Sequence, residues 1–281
     1  MWKPEHRIAA AARRGLRYPS DMSDAEWALV EPMIPPRRRG GRPRGVNLRE
    51  VLNSIFYVLA TGCQWQALPK DLPPKSTAHH YFALWERDGT LERIHDALYV
   101  ATREAAGRET SPTAAIIDSQ SAKAAQKGGA ALDPQGFDAD KKVTGRKRHI
   151  LVETLGLLLR VSVLPADIQD RDGARDLLRH ARRRFPFIER IFAGAGYQGP
   201  KMATTIAATG SWTMDIVRRC DLHRFVVLPK QWIVERSFAW ISRNRRLTRD
   251  FERYARTVAA FMRLAMIRMM LKRLTTPSLC S

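Results

Sequence analysis

One stretch decides how the fold of this chain is interpreted: Thr113-Ala114-Ala115-Ile116-Ile117-Asp118-Ser119-Gln120. It is a short apolar run with two isoleucines, followed at once by polar side chains, which is typical of a strand buried on both faces. Asp118 comes where this strand leaves the core. Because an unpaired buried charge is costly, a carboxylate there is either hydrogen-bonded in a local turn or holds a cation. The stretch alone leaves both alternatives open.

The charge balance restricts the partners of the chain. Its 281 residues include 48 Lys and Arg against 28 Asp and Glu, a formal net charge of +20. This excess indicates a polyanionic partner, most commonly nucleic acid, with a membrane surface as the competing interpretation. The sequence has no run of 18 apolar residues and no signal-peptide core near its start, so we predict a soluble intracellular protein with no membrane partner. Cys63, Cys220 and Cys280 are too few and too far apart for a disulfide framework or a zinc site.

The first third of the chain is predicted to be helical, behind a basic tail at residues 1–16. Ser23-Asp24-Ala25-Glu26 forms a capping box at the start of a short helix. Three more helices follow, and the fourth runs to about Ala106. The layout of residues 17–108 is that of a helix-turn-helix-like DNA-binding domain.

The third helix of this domain carries the residues that we expect to meet DNA, His80 and Arg87, with His79 beside them. The alternative is that this helix only packs the bundle through Phe82 and Trp85. Both interpretations can hold for opposite faces. The adjacent histidines do not predict a metal site, because neighbouring positions on a helix point about 100° apart.

An arginine-rich segment joins the first two helices at residues 37–44. It contains five arginines, two glycines and a proline, so it is either a solvated linker or an arm that follows a phosphate backbone. The net charge favours the arm. The DNA-binding candidates here are Arg37, Arg38, Arg39, Arg42 and Arg44.

Residues 109–276 are predicted to form a second domain of mixed α/β class. Two apolar runs, 149–153 and 157–164, indicate a hairpin. A helix from residue 172 to about 184 and a strand at 188–193 follow. The basic patch just before the hairpin adds three DNA-binding candidates, Arg146, Lys147 and Arg148.

The last part of this domain, residues 231–276, has neither Gly nor Pro. Apolar residues at spacings of three and four, starting at Phe251 and Tyr254, predict an amphipathic helix, with a break near residues 244–250. Eleven Lys or Arg stand against three acidic residues. One of these acids, Glu235, lies near the start of the first helical piece, where the simplest interpretation is a favourable interaction with the helix dipole.

Seven motifs in this order resemble the DDE-type transposases of bacterial insertion sequences, in the insertion-sequence family-five group. Two of them are Ile117-Asp118-Ser119-Gln120-Ser121 and Trp232-Ile233-Val234-Glu235-Arg236-Ser237-Phe238-Ala239-Trp240. The others lie at residues 22–27, 62–69, 145–150, 166–174 and 196–199. The likeness covers residues 18–274, nearly the whole chain.

The resemblance implies a ribonuclease-H-like catalytic domain, with a mixed sheet and helices, behind the all-helical domain. It also implies three active-site carboxylates, of which Asp118 is the first and Glu235 the third. In an intact family site they hold two Mg²⁺ or Mn²⁺ ions roughly 3.5–4 Å apart, and these ions act on a phosphoryl group. Arg236 and Arg243 match positions that grip DNA ends, and Arg246 lies close by in the sequence.

The second carboxylate position departs from the family pattern. Family members have Phe-Ala-Asp before the Gly-Tyr pair, whereas this chain has Phe192-Ala193-Gly194. The loss of one charged ligand should weaken metal binding and impair catalysis. Asp167, Asp170 and Asp172 are interpreted as loop and helix-cap residues, and Asp215 is a weaker substitute still.

We therefore predict an insertion-sequence transposase that binds double-stranded DNA, both transposon ends and target. Its metal-dependent strand cleavage and strand transfer should be impaired in this copy. The main alternative is a catalytically inactive DNA-binding protein, repressor-like or a dead copy that occupies transposon ends. A basic RNA-binding nuclease of the ribonuclease-H class is a third possibility. The resemblance further predicts a homo-oligomer on DNA and a cytoplasmic, nucleoid-associated location in a bacterium.

Overall fold

The computed structural model describes residues 13, 15–36, 45–125, 133–210, 212–217 and 230–276. The chain divides into two compact units. The first comprises Met1–Arg108, Asn244–Arg246 and Arg263–Ser281, and the second comprises Glu109–Arg243 and Leu247–Met262. The arginine-rich segment, most of the basic tail, Cys220 and Cys280 lie outside the described residues, so the predictions on them remain predictions.

Four helices form most of the first unit: α1 Asp24–Val30, α2 Leu48–Thr61, α3 Lys75–Arg87 and α4 Thr90–Ala105. The predicted capping box is confirmed, since Ser23 Oγ accepts from the Glu26 amide and the Glu26 carboxylate accepts from the Ser23 amide. Asn47 caps α2 in a similar way, and Gly62 ends that helix with a φ of 72°. Buried apolar side chains from all four helices make the core of the unit.

The second unit contains a six-stranded sheet. Its strands are β1 Ala114–Lys123, β2 Gly136–Asp138, β3 Val143–Glu153, β4 Leu158–Pro165, β5 Arg190–Gly194 and β6 Thr213–Val217. β1, β5 and β6 are parallel neighbours, whereas β3 pairs antiparallel with β1, β2 and β4. This mixed sheet with helices confirms the predicted ribonuclease-H-like α/β class.

The helices of this sheet domain are α5 Asp170–Arg184, α6 Pro200–Ala208 and α7 Gln231–Ser242. The predicted hairpin is confirmed as β3 and β4, but β3 begins six residues earlier than expected and includes the basic patch. α5 packs directly over β3 and β4. Gly173 allows this approach, because a Cβ there would collide with the ring of His149 on β3.

The predicted break in the C-terminal segment is confirmed by a 3₁₀ turn at Arg245–Leu247 between α7 and α8 Ala255–Thr275. The predicted start of the amphipathic pattern was wrong: Phe251 and Tyr254 precede α8 and are exposed. Apolar residues of α8 are buried at consecutive positions, 260–262 and 264–267, which is typical of a helix surrounded by core. Among the described residues, no helix is both long and apolar enough to cross a membrane.

Candidate active site

The strand that carries Asp118 is the centre of the sheet. β1 lies between β3 and β5, and Ala115, Ile116 and Ile117 are fully buried, so the apolar run forms a strand covered on both faces as predicted. Asp118 is opposite Ile150 of β3 and is the first half-buried residue after this run. The sheet therefore holds the Asp118 carboxylate at a fixed place on the edge of the core.

Gly194 lies beside Asp118 on the neighbouring strand. The paired register of β1 and β5 ends at Ile117 opposite Ala193, and the next residues on the two parallel strands are Asp118 and Gly194. Gly194 has φ −72° and ψ 172°, an extended conformation that any residue adopts. A Cβ built on it would have no described heavy atom within 4 Å. The backbone at this position therefore has room for an aspartate next to Asp118.

Glu235 reaches this region from α7, which packs against β1, β3 and β5. The turn of the β3–β4 hairpin fixes that helix: Ser237 Oγ donates to the Gly156 carbonyl oxygen at 2.8 Å. The Arg236 guanidinium donates to the Leu155 carbonyl oxygen at 3.1 Å. Glu235 itself is exposed and is the fifth residue of α7, beyond the first turn, so the interpretation as a helix-dipole partner loses its support.

Electrostatics tie these side chains to one site. Burial is the main cause that raises the pKa of Asp118 to about 6, and the charges of Asp170 and Glu235 contribute to this rise. A hydrogen bond from the Ser119 amide and the charge of Lys141 act in the opposite direction. Asp118 therefore ionises at a higher pH than an ordinary aspartate, and a cation brought to it would lower its pKa.

Asp170 is the site residue that the sequence interpretation missed. It is the first residue of α5, and its carboxylate accepts from Ser119 Oγ at 2.7 Å, one position after Asp118 on β1. Lys147 Nζ lies 3.1 Å from the same carboxylate. Burial raises the pKa of Asp170, but the hydrogen bond from Ser119 and the charge of Lys147 lower it more, so the net shift is downward. Asp170 lies at the start of a helix as predicted, and its contacts with Ser119 and Lys147 are additional to that position.

Lys147 bridges two carboxylates, those of Asp170 and Asp138. Its ammonium lies 3.1 Å from Asp170 and 3.6 Å from Asp138, and Ser121 Oγ donates to Asp138 as well. These contacts leave Asp170 neutralised by an internal cation. No spacing in the sequence predicts this network, because β3 and α5 bring together residues more than twenty positions apart.

The donor set does not fit the two-ion arrangement of an intact family site. Asp118 and Glu235 provide carboxylates, Gly194 provides none, and Asp170 is held by Ser119 and Lys147. Within the described ranges, no three acidic, histidine or cysteine side chains come close enough together to hold a metal ion. Two dications need more negative charge than these residues supply.

The structure corrects the predicted DNA contacts of the basic patch. Arg146, Lys147 and Arg148 are buried inside the sheet domain, not on its surface. Arg146 forms an ion pair of 2.6 Å with Asp250, and Arg148 donates to the Leu247 carbonyl oxygen at 2.6 Å. Arg146 and Arg148 hold the chain after α7, and Lys147 is paired with Asp138 and Asp170, so we exclude these three residues from the DNA surface.

Three arginines near Glu235 have different surroundings. Arg243 is exposed at the end of α7. Arg236 is half-buried, with its guanidinium 4.5 Å from the ring centre of Trp232 and 4.7 Å from that of Trp240. Arg246 is buried and donates to the Cys63 carbonyl oxygen at 3.1 Å, so we also leave it out of the DNA surface. Of the three, Arg243 is the one whose side chain is open to a phosphate.

The predicted recognition face is present on α3. His79, His80 and Arg87 are exposed, whereas Phe82 and Trp85 are buried in the helical unit. The two faces anticipated for this helix are therefore distinct. Contact of its exposed face with DNA remains a prediction.

Comparison with known proteins identifies two matching families. Residues 22–95 match a family described as "Putative transposase of IS4/5 family", and residues 109–270 match the family described as "Transposase DDE domain". The second match covers more than half of the chain. Members of the DDE domain family typically use divalent metal ions.

The chain is also similar to the insertion element IS402 uncharacterized 16.2 kDa protein of Burkholderia cepacia. The two are 31% identical over 109 residues, which is 37% of this chain and 73% of that protein. No solved structure matches the chain significantly.

Proposed function

The chain belongs to the IS4/5 family of DDE transposases, and from that premise we propose that it binds transposon ends while its own strand cleavage is impaired. Family membership makes it a polynucleotidyl transferase and endonuclease of an insertion sequence by descent. The proposal concerns this copy: residues 17–108 bind DNA, residues 109–276 form the catalytic domain, and Asp118 and Glu235 are its remaining catalytic carboxylates.

The observation that carries the proposal is the pair Asp118 and Gly194 on adjacent parallel strands. Asp118 is held within β1, just after its buried apolar run, with its pKa raised to about 6, and the neighbouring position has an ordinary backbone and open space but no carboxylate. Asp170 does not fill the gap, because Ser119 and Lys147 already engage it. A site with two of its three carboxylates binds divalent cations weakly, and cleavage is impaired because it depends on these cations.

Three features support DNA binding by this copy. The formal net charge is +20, the exposed face of α3 carries His80 and Arg87, and Arg243 lies exposed at the end of the helix that carries Glu235. The segment 37–44 adds five arginines. Phosphate contacts of this kind do not depend on the carboxylate site. We further propose assembly of copies on DNA ends and a cytoplasmic, nucleoid-associated location.

A strand-cleavage assay tests the catalytic part. The substrate is a duplex with the ends of the insertion sequence that encodes the chain, with Mg²⁺ or Mn²⁺ and with a chelator as the metal-free control. We expect Gly194→Asp to nick the ends at least tenfold faster than the parent chain. Gly194→Asn, which has the same shape without the charge, should stay at the parent level. Equal cleavage by the parent chain and Gly194→Asp would overturn the proposal.

The second candidate function is DNA binding without chemistry, as a repressor-like occupant of transposon ends. The absence of a three-ligand cluster in the described part of the chain favours it. End binding that is independent of Mg²⁺, with no nicking by either the parent chain or Gly194→Asp, would select this alternative. Restored nicking by Gly194→Asp would instead place the defect at one residue of an otherwise intact site.

A further inference from the structure

A second concave surface lies next to the carboxylate site, between α5 and α6. It encloses about 450 Å³ and is lined by charged and hydroxyl side chains and no acidic residue except Asp172. We call it the α5–α6 groove. Its polar lining residues other than Asp172 are Arg171, Arg175, Arg179, Lys201, Thr204, Thr205 and Thr209.

The position of the groove follows from the helix that forms it. Asp170, the first residue of α5, has its carboxylate hydrogen-bonded to Ser119, which follows Asp118 on β1, and Arg171 is the next residue of the helix. Residues four apart advance about 6 Å along a helix axis, so Arg171, Arg175 and Arg179 form a stripe about 12 Å long. The groove therefore starts at the carboxylate site and leads away from it.

The cations of this groove are available for a ligand. Within the described ranges, Arg171, Arg175 and Lys201 take part in no ion pair. The Nε atom of Arg171 is buried and has no hydrogen-bond partner among the described residues. Arg179 is paired with Asp176 at 2.8 Å, but both side chains are exposed, so this pair is weak. A buried donor without a partner is unfavourable, and a bound anion would supply the missing acceptor in this cationic groove.

We propose that the α5–α6 groove binds the phosphate backbone of the duplex DNA strand that leaves the carboxylate site. One DNA strand carries a charge about every 3.4 Å of helix axis, so a stripe of about 12 Å faces about four phosphates. The hydroxyl groups of Thr204 and Thr205 already donate to carbonyl oxygens of α6, which leaves the cations as the phosphate ligands. The groove holds the strand in register with the site and carries no base specificity. This inference rests on the proposed DNA-binding function.

Equilibrium binding of an end duplex, measured by fluorescence anisotropy in chelator across a salt series, tests the inference. We expect Arg175→Gln and Lys201→Gln each to reduce the slope of log affinity against log salt by about 0.9, and the double variant by about 1.8. The matched control is Arg183→Gln, since Arg183 is exposed on the same helix but does not line the groove. Its slope should stay within 0.3 or so of the parent value.

The outcomes separate this inference from the proposed function. A parent chain that binds the duplex with a steep slope, together with groove variants that keep that slope, overturns the groove and leaves the proposed DNA binding intact. A parent chain without measurable duplex binding overturns the proposed function as well. A hydroxyl-radical footprint shows where along the duplex the groove binds. Arg175→Gln should lose protection of the DNA backbone next to the cleaved end, and loss of protection elsewhere contradicts the assignment.

Discussion

At the scale of single residues, the ionisation of Asp118 is linked to the stability of the folded chain. Its pKa in the folded chain is about 6, raised from an ordinary value of 3.8 by burial and neighbouring carboxylates. A raised carboxyl pKa means that the protonated form fits the fold better, so the associated stability is fully present below about pH 3.8 and is lost as the pH rises through about 6. At neutral pH the site therefore carries a charge that destabilises the native state.

We expect Asp118→Asn to stabilise the fold at pH 7.5 by on the order of 1–3 kcal/mol, because it removes this charge without changing the shape of the side chain. Urea unfolding of the parent chain and of Asp118→Asn at pH 7.5 and at pH 4 measures the two free energies of unfolding. Their difference should shrink towards zero at the lower pH. In the Gly194→Asp background the same substitution should abolish nicking. A variant that is less stable than the parent at pH 7.5 contradicts the origin assigned to the pKa shift.

At the scale of secondary-structure elements, β3 shows why a basic run need not be a DNA-binding surface. Arg146 and Asp250 form an ion pair in which both side chains are 1% exposed, and Arg146 also donates to the Glu252 carbonyl oxygen. The Asp250 backbone pairs with β1 through Lys123 and Ala125. The guanidinium of Arg146 on β3 therefore fixes the chain that follows α7 beside the C-terminal end of β1.

We expect Asp250→Ala to cost about 3–5 kcal/mol, because it leaves the Arg146 guanidinium buried without its partner. The double variant Arg146→Met, Asp250→Leu should recover most of this loss and should leave the salt slope of DNA binding unchanged. Arg179→Ala, in an exposed ion pair, is the control and should change stability by less than about 1 kcal/mol. A shallower salt slope in the double variant would instead indicate that Arg146 contacts DNA phosphates.

These elements also show how far sequence reasoning reaches. The buried apolar run before Asp118, the capping box at Ser23 and the β3–β4 hairpin were predictable, because each depends on residues that are close in sequence. The predicted strand end at Asp118 was wrong, because pairing with β3 extends β1 to Lys123. The burial of Arg146 was not, because its partner is 104 positions away. The approach of Asp170 to Ser119 was missed for the same reason, at a separation of 51. A motif locates Asp118 and Gly194, but only the packed sheet shows what surrounds them.

At the scale of the whole molecule, the positive charge makes binding to any nucleic acid strong and dependent on salt, so affinity alone does not identify the substrate. A protein that makes six to ten phosphate contacts loses about 10³–10⁵ in affinity between 50 and 200 mM salt, whether the ligand is DNA or an RNA–DNA hybrid. The ribonuclease-H-like sheet is compatible with both. The proposed role of α3 separates the two substrates. The major groove of B-form DNA admits an α-helix, whereas the deep, narrow major groove of A-form RNA helices excludes side chains.

We therefore expect duplex DNA carrying the insertion-sequence end to displace an RNA–DNA hybrid of the same sequence and length at equal concentration and salt, by at least tenfold in affinity. Because both competitors carry the same number of phosphates, the net charge of +20 cancels from the comparison, and the remaining preference comes from groove geometry. Competition anisotropy at 150 mM salt measures the ratio. The substitutions His80→Ala and Arg87→Gln should reduce this preference towards one, since they remove side chains of the exposed α3 face and not of its buried face. A parent chain that prefers the hybrid, or a preference that survives both substitutions, would place recognition away from α3.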